Sequence, residues 1–477
     1  MRLGDTVDEP TSSAQDVVKA AGPFVHPETL ALIGATSRGD KVGNRILQYL
    51  AGWQGRLFLV SRNESEIMGR PACRDIADLP DSIDLAVIAV EARKAVEAAK
   101  RCADKNFRAV IIPASGFSET GTEGERLEEE LRQRVSAKGT RVLGPNTLGV
   151  FIPGTGLDTV FVEHGDRMFA EPGESVFITQ SGSVGIEALG VSGVIGWGLK
   201  AFIGLGNRID MGENEFIEYF ARDHQARSIA LYLETFQDGG AFIDICRRTT
   251  PVKPVIVLKA GRSEEALHAV ASHTGKMSSP AEVFTGAARQ AGIILAQNEE
   301  QLTDFAKILS REPPVFDPGV AVVTFAGGYG IITLDLIADT EHLFPARLSE
   351  RTVSRIRQSI PAFASADNPV DLTASADNGM MERTLQALED DPNVGIIFCI
   401  AFFAPPRVDR GLIDILTAHR ARTKKPFIVF VAYGPFTDEI AYTLYRNDVM
   451  TFTSLSRAVH AMDALAQRGS FLKTLHP

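Results

Sequence analysis

The sequence predicts an α/β protein built from three consecutive doubly wound domains. Three observations carry this reading. Short apolar runs alternate with amphipathic stretches along the chain, a pattern that implies parallel sheets with right-handed crossovers. The alternation restarts twice, near residues 175 and 320. The chain has 477 residues, which at about 150 per domain fits three domains.

Residues 1–22 are polar and acidic and lack an apolar signal core, so they read as an N-terminal arm rather than a signal peptide. The first domain is placed at 23–150. Its expected strands are Leu30 to Gly34, Arg56 to Val60, Leu85 to Val90, Ala109 to Pro113 and Arg141 to Leu143. Helices at Lys41 to Leu50, Ala92 to Ala103 and Gly124 to Ala137 connect them. The second domain, 151–312, opens with the strand Ser175 to Thr179 and the helix Val184 to Ser192. Strands at Leu199 to Gly204, Ser228 to Glu234 and Pro254 to Lys259 follow, separated by helices at Asn214 to Arg222 and Gly240 to Thr249. The proline-rich stretch Arg311 to Pro318 reads as a linker. The third domain, 313–477, begins with the strand Val320 to Phe325 and continues through strands at Gly395 to Ala401 and Phe427 to Val431.

Composition excludes several classes. Lys and Arg total 49 and Asp and Glu total 60, giving a net charge of −11. Without basic blocks, an acidic chain is a poor ligand for nucleic-acid phosphates. No run reaches the ~18–20 apolar residues that cross a bilayer. Cys73, Cys102, Cys246 and Cys399 form no CxxC pair, so neither a disulfide framework nor a zinc site is indicated, and a reducing cytosol is the expected setting. No metal ligand set is expected in this chain.

Three glycine turns, each between a strand and a helix, stand out. In Gly34-Ala-Thr-Ser-Arg-Gly-Asp-Lys-Val-Gly43 the backbone can approach phosphate oxygens at a helix N-terminus. Thr36 stands where a dinucleotide fingerprint has its second glycine, and the next strand ends in Ser61-Arg62-Asn63 without an acid. Both features disfavour NAD. Arg62 and Lys41 suit a ligand with extra phosphate, NADP or coenzyme A. The loops Ile112 to Glu119 and Leu143 to Gly149 also follow strands, where ligands bind in such sheets. The second turn, Gln180-Ser-Gly-Ser183, offers free amides to an anion. It is not a serine nucleophile elbow, because Thr179 and Ser181 occupy the flanking glycine positions. The third, Ala326-Gly-Gly-Tyr-Gly330, could present backbone donors to a phosphate or carboxylate but reads equally well as an ordinary glycine turn, so it ranks below the other two.

Taken together, these pieces resemble the ADP-forming acyl-CoA synthetases, relatives of succinyl-CoA synthetase. The resemblance rests on the first glycine turn with Lys41, Ser115-Gly-Phe-Ser-Glu119 and Gly144-Pro-Asn-Thr-Leu-Gly-Val150. It continues in order through Thr179 to Ser183, Gly206-Asn207 with Asp210, Leu231 to Glu234, Lys259 to Arg262, Ser272-His-Thr-Gly275, Ala326 to Gly330 and Asn368 to Thr373. It covers roughly residues 25–465 and implies a Rossmann-like CoA-binding domain followed by two flavodoxin-like domains. The implied CoA contacts are Gly34, Ala35, Thr36, Lys41, Gly43, Asn63, Ser115, Gly116 and Asn146.

His273 sits among small residues in Ala271-Ser-His-Thr-Gly-Lys276. A neutral imidazole is a competent nucleophile toward phosphorus near pH 7 when its second nitrogen is held by an acceptor. Glu234, closing a strand, is a suitable acceptor. The resemblance implies that His273 is the phosphorylated histidine and Glu234 its orienting acid, with Gln180, Ser181, Gly182 and Ser183 receiving the phosphoryl group. His268 is then a bystander. No GxxxxGK[ST] loop is present, since Met277 follows Gly275-Lys276. The resemblance places ADP, ATP and Mg²⁺ on an ATP-grasp β subunit, and this chain reads as the α portion. The implied reaction is acyl-CoA + ADP + phosphate ⇌ carboxylic acid + CoA + ATP. A CoA-binding regulator without catalysis is the alternative, and an NADP oxidoreductase a weaker one. The chain departs from the usual family pattern at Thr147, in place of cysteine, at Val60-Ser-Arg-Asn63 and at Ala89-Val-Glu91.

Overall fold

The structure, a computed structural model, describes residues 12–162, 172–267, 270 and 281–475. The chain divides into two compact units, residues 1–190 with 199–291, and residues 191–198 with 292–477.

The first unit holds two sheets. Strands of the first lie in the order Glu66–Ile67, Arg70–Cys73, Arg56–Val60, Thr29–Ile33, Leu85–Ile88, Ala109–Ile111 and Arg141–Leu143. All neighbours are parallel except the short ribbon at 66–73. Parallel strands are covered on both faces, so they read as unbroken apolar runs. Leu85–Ile88 is buried at every position. Thr29–Ile33 is flanked by Arg56–Val60 and Leu85–Ile88, with crossovers leaving to opposite sides. That reversal opens a crevice at its carboxyl end, where Gly34 begins the first glycine turn.

The second sheet repeats the logic. Pro172–Thr179 lies between Leu199–Gly204 and Ser228–Leu233, parallel to both, and Ser228–Leu233 pairs onward with Val255–Lys259. Beyond Leu199–Gly204 lie two antiparallel strands, Val150–Ile152 and Leu157–Asp158. They are too short for a period-two signal to mark them in the sequence.

The second unit has an all-parallel third sheet. Gly319–Thr324 lies between Ile396–Phe402 on one side and both Phe344–Pro345 and Val370–Asp371 on the other. Phe427–Ala432 and Met450–Phe452 extend it. The helix Glu299–Arg311 belongs to this unit and packs along Leu455–Leu475. Each of the three sheets thus has one reversal point, and one of the three glycine turns stands at each.

The expected N-terminal arm differs in its described part. Ser12–Val25 is a helix that buries Ala21, Phe24 and Val25 completely. Phe24 meets Phe216 edge to face at 6.0 Å. Apolar residues spaced three and four apart near its end supply the buried stripe, although the segment as a whole is polar.

Candidate functional site

In the first turn, Gly34 has φ +90°, and a Cβ there would lie 2.6 Å from the Ala89 carbonyl oxygen. A Cβ at Gly43 would lie 2.1 Å from the Gly34 oxygen. Both glycines are therefore required by backbone packing. Glu64, which no sequence motif singles out, accepts through Oε1 from the Thr36 hydroxyl at 2.7 Å and from the Ser37 amide at 3.1 Å. These hydrogen bonds hold its carboxyl below the ordinary range. Asn44 Nδ2 donates to the Thr36 carbonyl at 2.9 Å and ties the turn to the helix Val42–Tyr49. Lys41 caps that helix without a side-chain bond and lies 3.7 Å from Asp40. Asn63 and Ser115 are exposed after the strands Arg56–Val60 and Ala109–Ile111, with Gly116 beside Ser115. Ala35 is buried under the turn. These residues, with Asn146, line one edge of the first sheet.

Asn146 also reaches a second place. A cavity of about 560 Å³ opens at the second reversal point. Its walls include Gln180, Ser181, Gly182, Ser183 and Glu234 from the second sheet, and Ser118, Glu119 and Asn146 from loops of the first. Gly206, Asn207 and Arg208 complete it. The structure thus gathers the Gln180 to Ser183 turn and Glu234, which lie about fifty residues apart. Gly34, Ala35, Thr36, Lys41, Gly43, Asn63, Ser115 and Gly116 are not among its walls. His268 and His273 lie outside the described residues.

The helix Gly182–Ile195 presents its amino end to this cavity. The first amides of a helix have no intrahelical acceptor and carry the positive end of its dipole. Thr179 shapes the turn: its hydroxyl donates to the Ser181 carbonyl at 2.8 Å and accepts the Ser181 amide at 3.2 Å. The Ser181 and Ser183 hydroxyls lie 3.2 Å apart. The third turn copies the device, with the Thr324 hydroxyl donating to the Ala326 carbonyl at 3.1 Å and accepting its amide at 2.8 Å. Two differences separate the copies. A Cβ at Gly327 would lie 2.4 Å from Asp371 Oδ2, so a carboxylate of the chain itself stands over that helix end. In the second sheet Thr179 is in register with Tyr232, two residues before Glu234. In the third, Thr324 is in register with Ile400, two before Phe402, so the acid is replaced by an aromatic.

Glu234 is 7% exposed. Its amide donates to Gln180 Oε1 at 2.9 Å, and the Thr235 amide donates to the same oxygen at 3.1 Å. Gln180 Nε2 donates to the Thr235 hydroxyl at 3.2 Å. Lys259 Nζ donates to the Glu234 carbonyl at 2.7 Å. Burial lowers the Lys259 ammonium to about 8, against the opposing pull of Glu234. Burial and the same carboxylate raise the Tyr232 phenol to about 12.

Backbone-to-backbone contact joins the two sheets. The amides of Asn207, Ile209 and Met211 donate to the carbonyls of Pro145, Gly144 and Val142 at 2.9, 3.2 and 3.1 Å. A Cβ at Gly206 would stand 2.2 Å from the Pro145 oxygen. Arg141 grips Asp210 through Nε at 2.9 Å and Nη2 at 2.8 Å. Asn207 Nδ2 donates to Glu119 Oε2 at 2.7 Å. Burial alone would raise the Glu119 carboxyl, but the bonds from Asn207 and from the Gly116 and Phe117 amides hold it low. Thr147 serves as a structural hydroxyl, donating to the Gly204 carbonyl at 2.5 Å and accepting the Gly149 amide at 2.9 Å.

Comparison with known proteins agrees with this geometry. Residues 28–153 match a CoA binding domain, residues 172–309 a succinyl-CoA ligase like flavodoxin domain, and residues 320–468 a ligase-CoA domain. Over 452 residues the chain is 32% identical to acetate–CoA ligase (ADP-forming) II subunit alpha of Pyrococcus furiosus, spanning 93% of this chain and 97% of that subunit. The chain belongs to the ADP-forming acetyl-CoA synthetase family. It is the α-subunit-like portion of such a synthetase. It is 30% identical to acetate–CoA ligase (ADP-forming) I of Archaeoglobus fulgidus, spanning 63% of that protein's length. The ADP-forming synthetase fold is shared with the dinucleotide forming acetyl-coenzyme A synthetase 1 of Ca. Korarchaeum cryptofilum, solved in complex with phosphate and ADP. That match has a TM-score of 0.88 at 29% identity and covers 96% of this chain and 99% of that one.

Proposed function

We propose that this chain converts acyl-CoA and phosphate to acyl phosphate and CoA, then carries the phosphoryl group on His273 to ADP held by an ATP-grasp β subunit. The observation that carries the reading is the shared cavity. The helix amino end at Gly182 and Ser183, the acid Glu234 and the CoA-domain residue Asn146 all open into it. A phosphoryl carrier needs these three features at one place: an anion cradle, an orienting acid and access to the thioester.

The roles divide by chemistry. The Gly34 to Gly43 turn, Asn63, Ser115, Gly116 and Asn146 hold coenzyme A along the carboxyl edge of the first sheet. The close backbone approach at Gly34 and Gly43 and the exposed Asn63 and Ser115 suit a phosphorylated ligand. The Gly182 and Ser183 amides, with the Ser181 and Ser183 hydroxyls, hold inorganic phosphate while one of its oxygens attacks the thioester carbonyl. The C–S bond breaks, and the thiolate leaves to be protonated as CoA. His273 then attacks the phosphorus of the acyl phosphate, and the carboxylate leaves with the electron pair of the P–O bond. Glu234 accepts the other imidazole N–H and stabilises the charge that develops on the ring. ADP with Mg²⁺ on the partner finally receives the phosphoryl group, and His273 returns to neutral. Positioning and charge stabilisation by the helix amino end do most of this work.

Reconstitution tests the reading. The chain mixed with an ATP-grasp β subunit of the family should form ATP from acetyl-CoA, ADP and phosphate, with release of CoA in equal amount. The chain alone should form none. ATP formation by the chain alone would show a nucleotide site that this reading lacks. A CoA-binding but inactive mixture would favour the regulatory alternative.

A further inference from the structure

Arg208 has no role in the phosphoryl transfer described above, yet its surroundings are unusual for a core residue. It is 2% exposed and adopts φ +59° without being glycine. Such backbone persists where its surroundings over-determine it. Nη1 donates to Glu213 Oε2 at 2.7 Å and to the Thr235 carbonyl at 2.9 Å, and Nη2 donates to the Thr235 hydroxyl at 2.6 Å. Glu213 spends its other oxygen on the Gln237 amide at 3.0 Å. The guanidinium is thus anchored on a fixed carboxylate and grips Thr235 at two points, next to Glu234.

A plain buried ion pair adds little net stability over an apolar pair of the same volume, so stability alone is a weak reason for this arrangement. Its geometry offers a better one. Gln180 holds the amides of Glu234 and Thr235, and Lys259 holds the Glu234 carbonyl. Arg208 supplies what these two leave open, the Thr235 carbonyl, and shares the Thr235 hydroxyl with Gln180 Nε2. The preceding residue, Asn207, is bonded to Ser118 and Glu119 of the CoA-domain loop. One short segment therefore spans the distance between that loop and the backbone of the orienting acid.

We propose that Arg208 is a positioning residue for Glu234: by gripping Thr235 it fixes the acid against the amino end of the helix Gly182–Ile195. This rests on the phosphohistidine reading and deepens it. A misplacement of about 1 Å at a reacting centre costs on the order of 10²-fold in rate. Loosening this grip should therefore act on the maximal rate and leave substrate affinity in place.

The test uses the full chain and acetyl phosphate in single-turnover phosphorylation, with the maximal rate and the half-saturating concentration read separately. Arg208→Lys is the direct variant. Thr235→Val keeps the buried ion pair intact and removes the hydroxyl that Arg208 and Gln180 share, while Arg208→Lys leaves the Gln180 bond in place. Thr235→Ser restores it. The rate should fall about 10–100-fold in Arg208→Lys and Thr235→Val, with half-saturation unchanged, and should recover in Thr235→Ser. A wild-type rate in Thr235→Val would overturn the proposal. So would a joint loss of rate, affinity and melting temperature that Thr235→Ser does not rescue. The ¹³C signal of the Glu234 carboxylate gives a readout independent of phosphoryl chemistry. If the wild-type chain takes no phosphoryl group, the carrier reading fails, and this signal still decides the role of Arg208. Displacement in both Arg208→Lys and Thr235→Val, with return in Thr235→Ser, supports it, and a signal unmoved in Arg208→Lys refutes it.

Discussion

In the proposed mechanism Glu234 serves a histidine, and the backbone around it is already committed. Gln180 and Lys259 take its amide and carbonyl, so the side chain can face the cavity from a fixed base. The charge of the carboxylate then matters more than its shape. Glu234→Gln should keep the fold and slow phosphorylation of the chain by roughly 10²–10⁴-fold, the range for a lost acid–base partner. Rapid-quench labelling with acetyl phosphate measures it, and a variant as fast as wild type would remove Glu234 from the mechanism. Of the residues in this cavity, the sequence made Glu234 and the Gln180 to Ser183 turn legible because each sits at a strand end. Arg208 and Glu64 were not legible. Their roles depend on partners 27 and 28 residues away, Thr235 and Thr36, reached by side-chain geometry that no local pattern encodes. The resemblance implies that Gln180 helps to receive the phosphoryl group. Its amide group is in fact bonded to Glu234 and Thr235, which suits positioning.

At the scale of elements, strands and helices along 29–259 follow the sequence closely, because parallel strands buried on both faces leave unbroken apolar runs. The short antiparallel pair Val150–Ile152 and Leu157–Asp158 left no such trace. The helix Glu299–Arg311 shows a further kind of hidden information. It carries Lys307 fully into the second unit, where Nζ donates to the Thr451 carbonyl at 2.5 Å and lies 4.5 Å from the Phe452 ring. Burial lowers this ammonium from 10.5 to about 7; Asp304 opposes the shift, and Arg311 and Arg457 add to it. The folded chain therefore binds fewer protons here than the unfolded chain between about pH 7 and 10.5. Stability from this group is present above 10.5 and is lost as pH falls through 7. Denaturant unfolding of the second unit, followed through Trp197 in a Trp53→Phe background, should show stability rising across that window. Lys307→Met should flatten the rise, and an unchanged slope would show that Lys307 does not titrate there.

For the whole molecule, three reversal points carry three glycine turns, but the turns are not equivalent. The first stands on the CoA-binding sheet and the second opens into the cavity. The third has Asp371 over its helix end and an aromatic where the second has its acid. Among the described residues, no helix is long and apolar enough to cross a membrane. The central claim is that this α portion carries a phosphoryl group on one histidine. Mass spectrometry of the chain after reaction with acetyl phosphate, or with acetyl-CoA and phosphate, tests it directly. The expected result is acid-labile, base-stable phosphate on His273, lost in His273→Ala and kept in His268→Ala. Phosphate on Ser181, Ser183 or His268 instead, or a chain that takes no label under either condition, would contradict it.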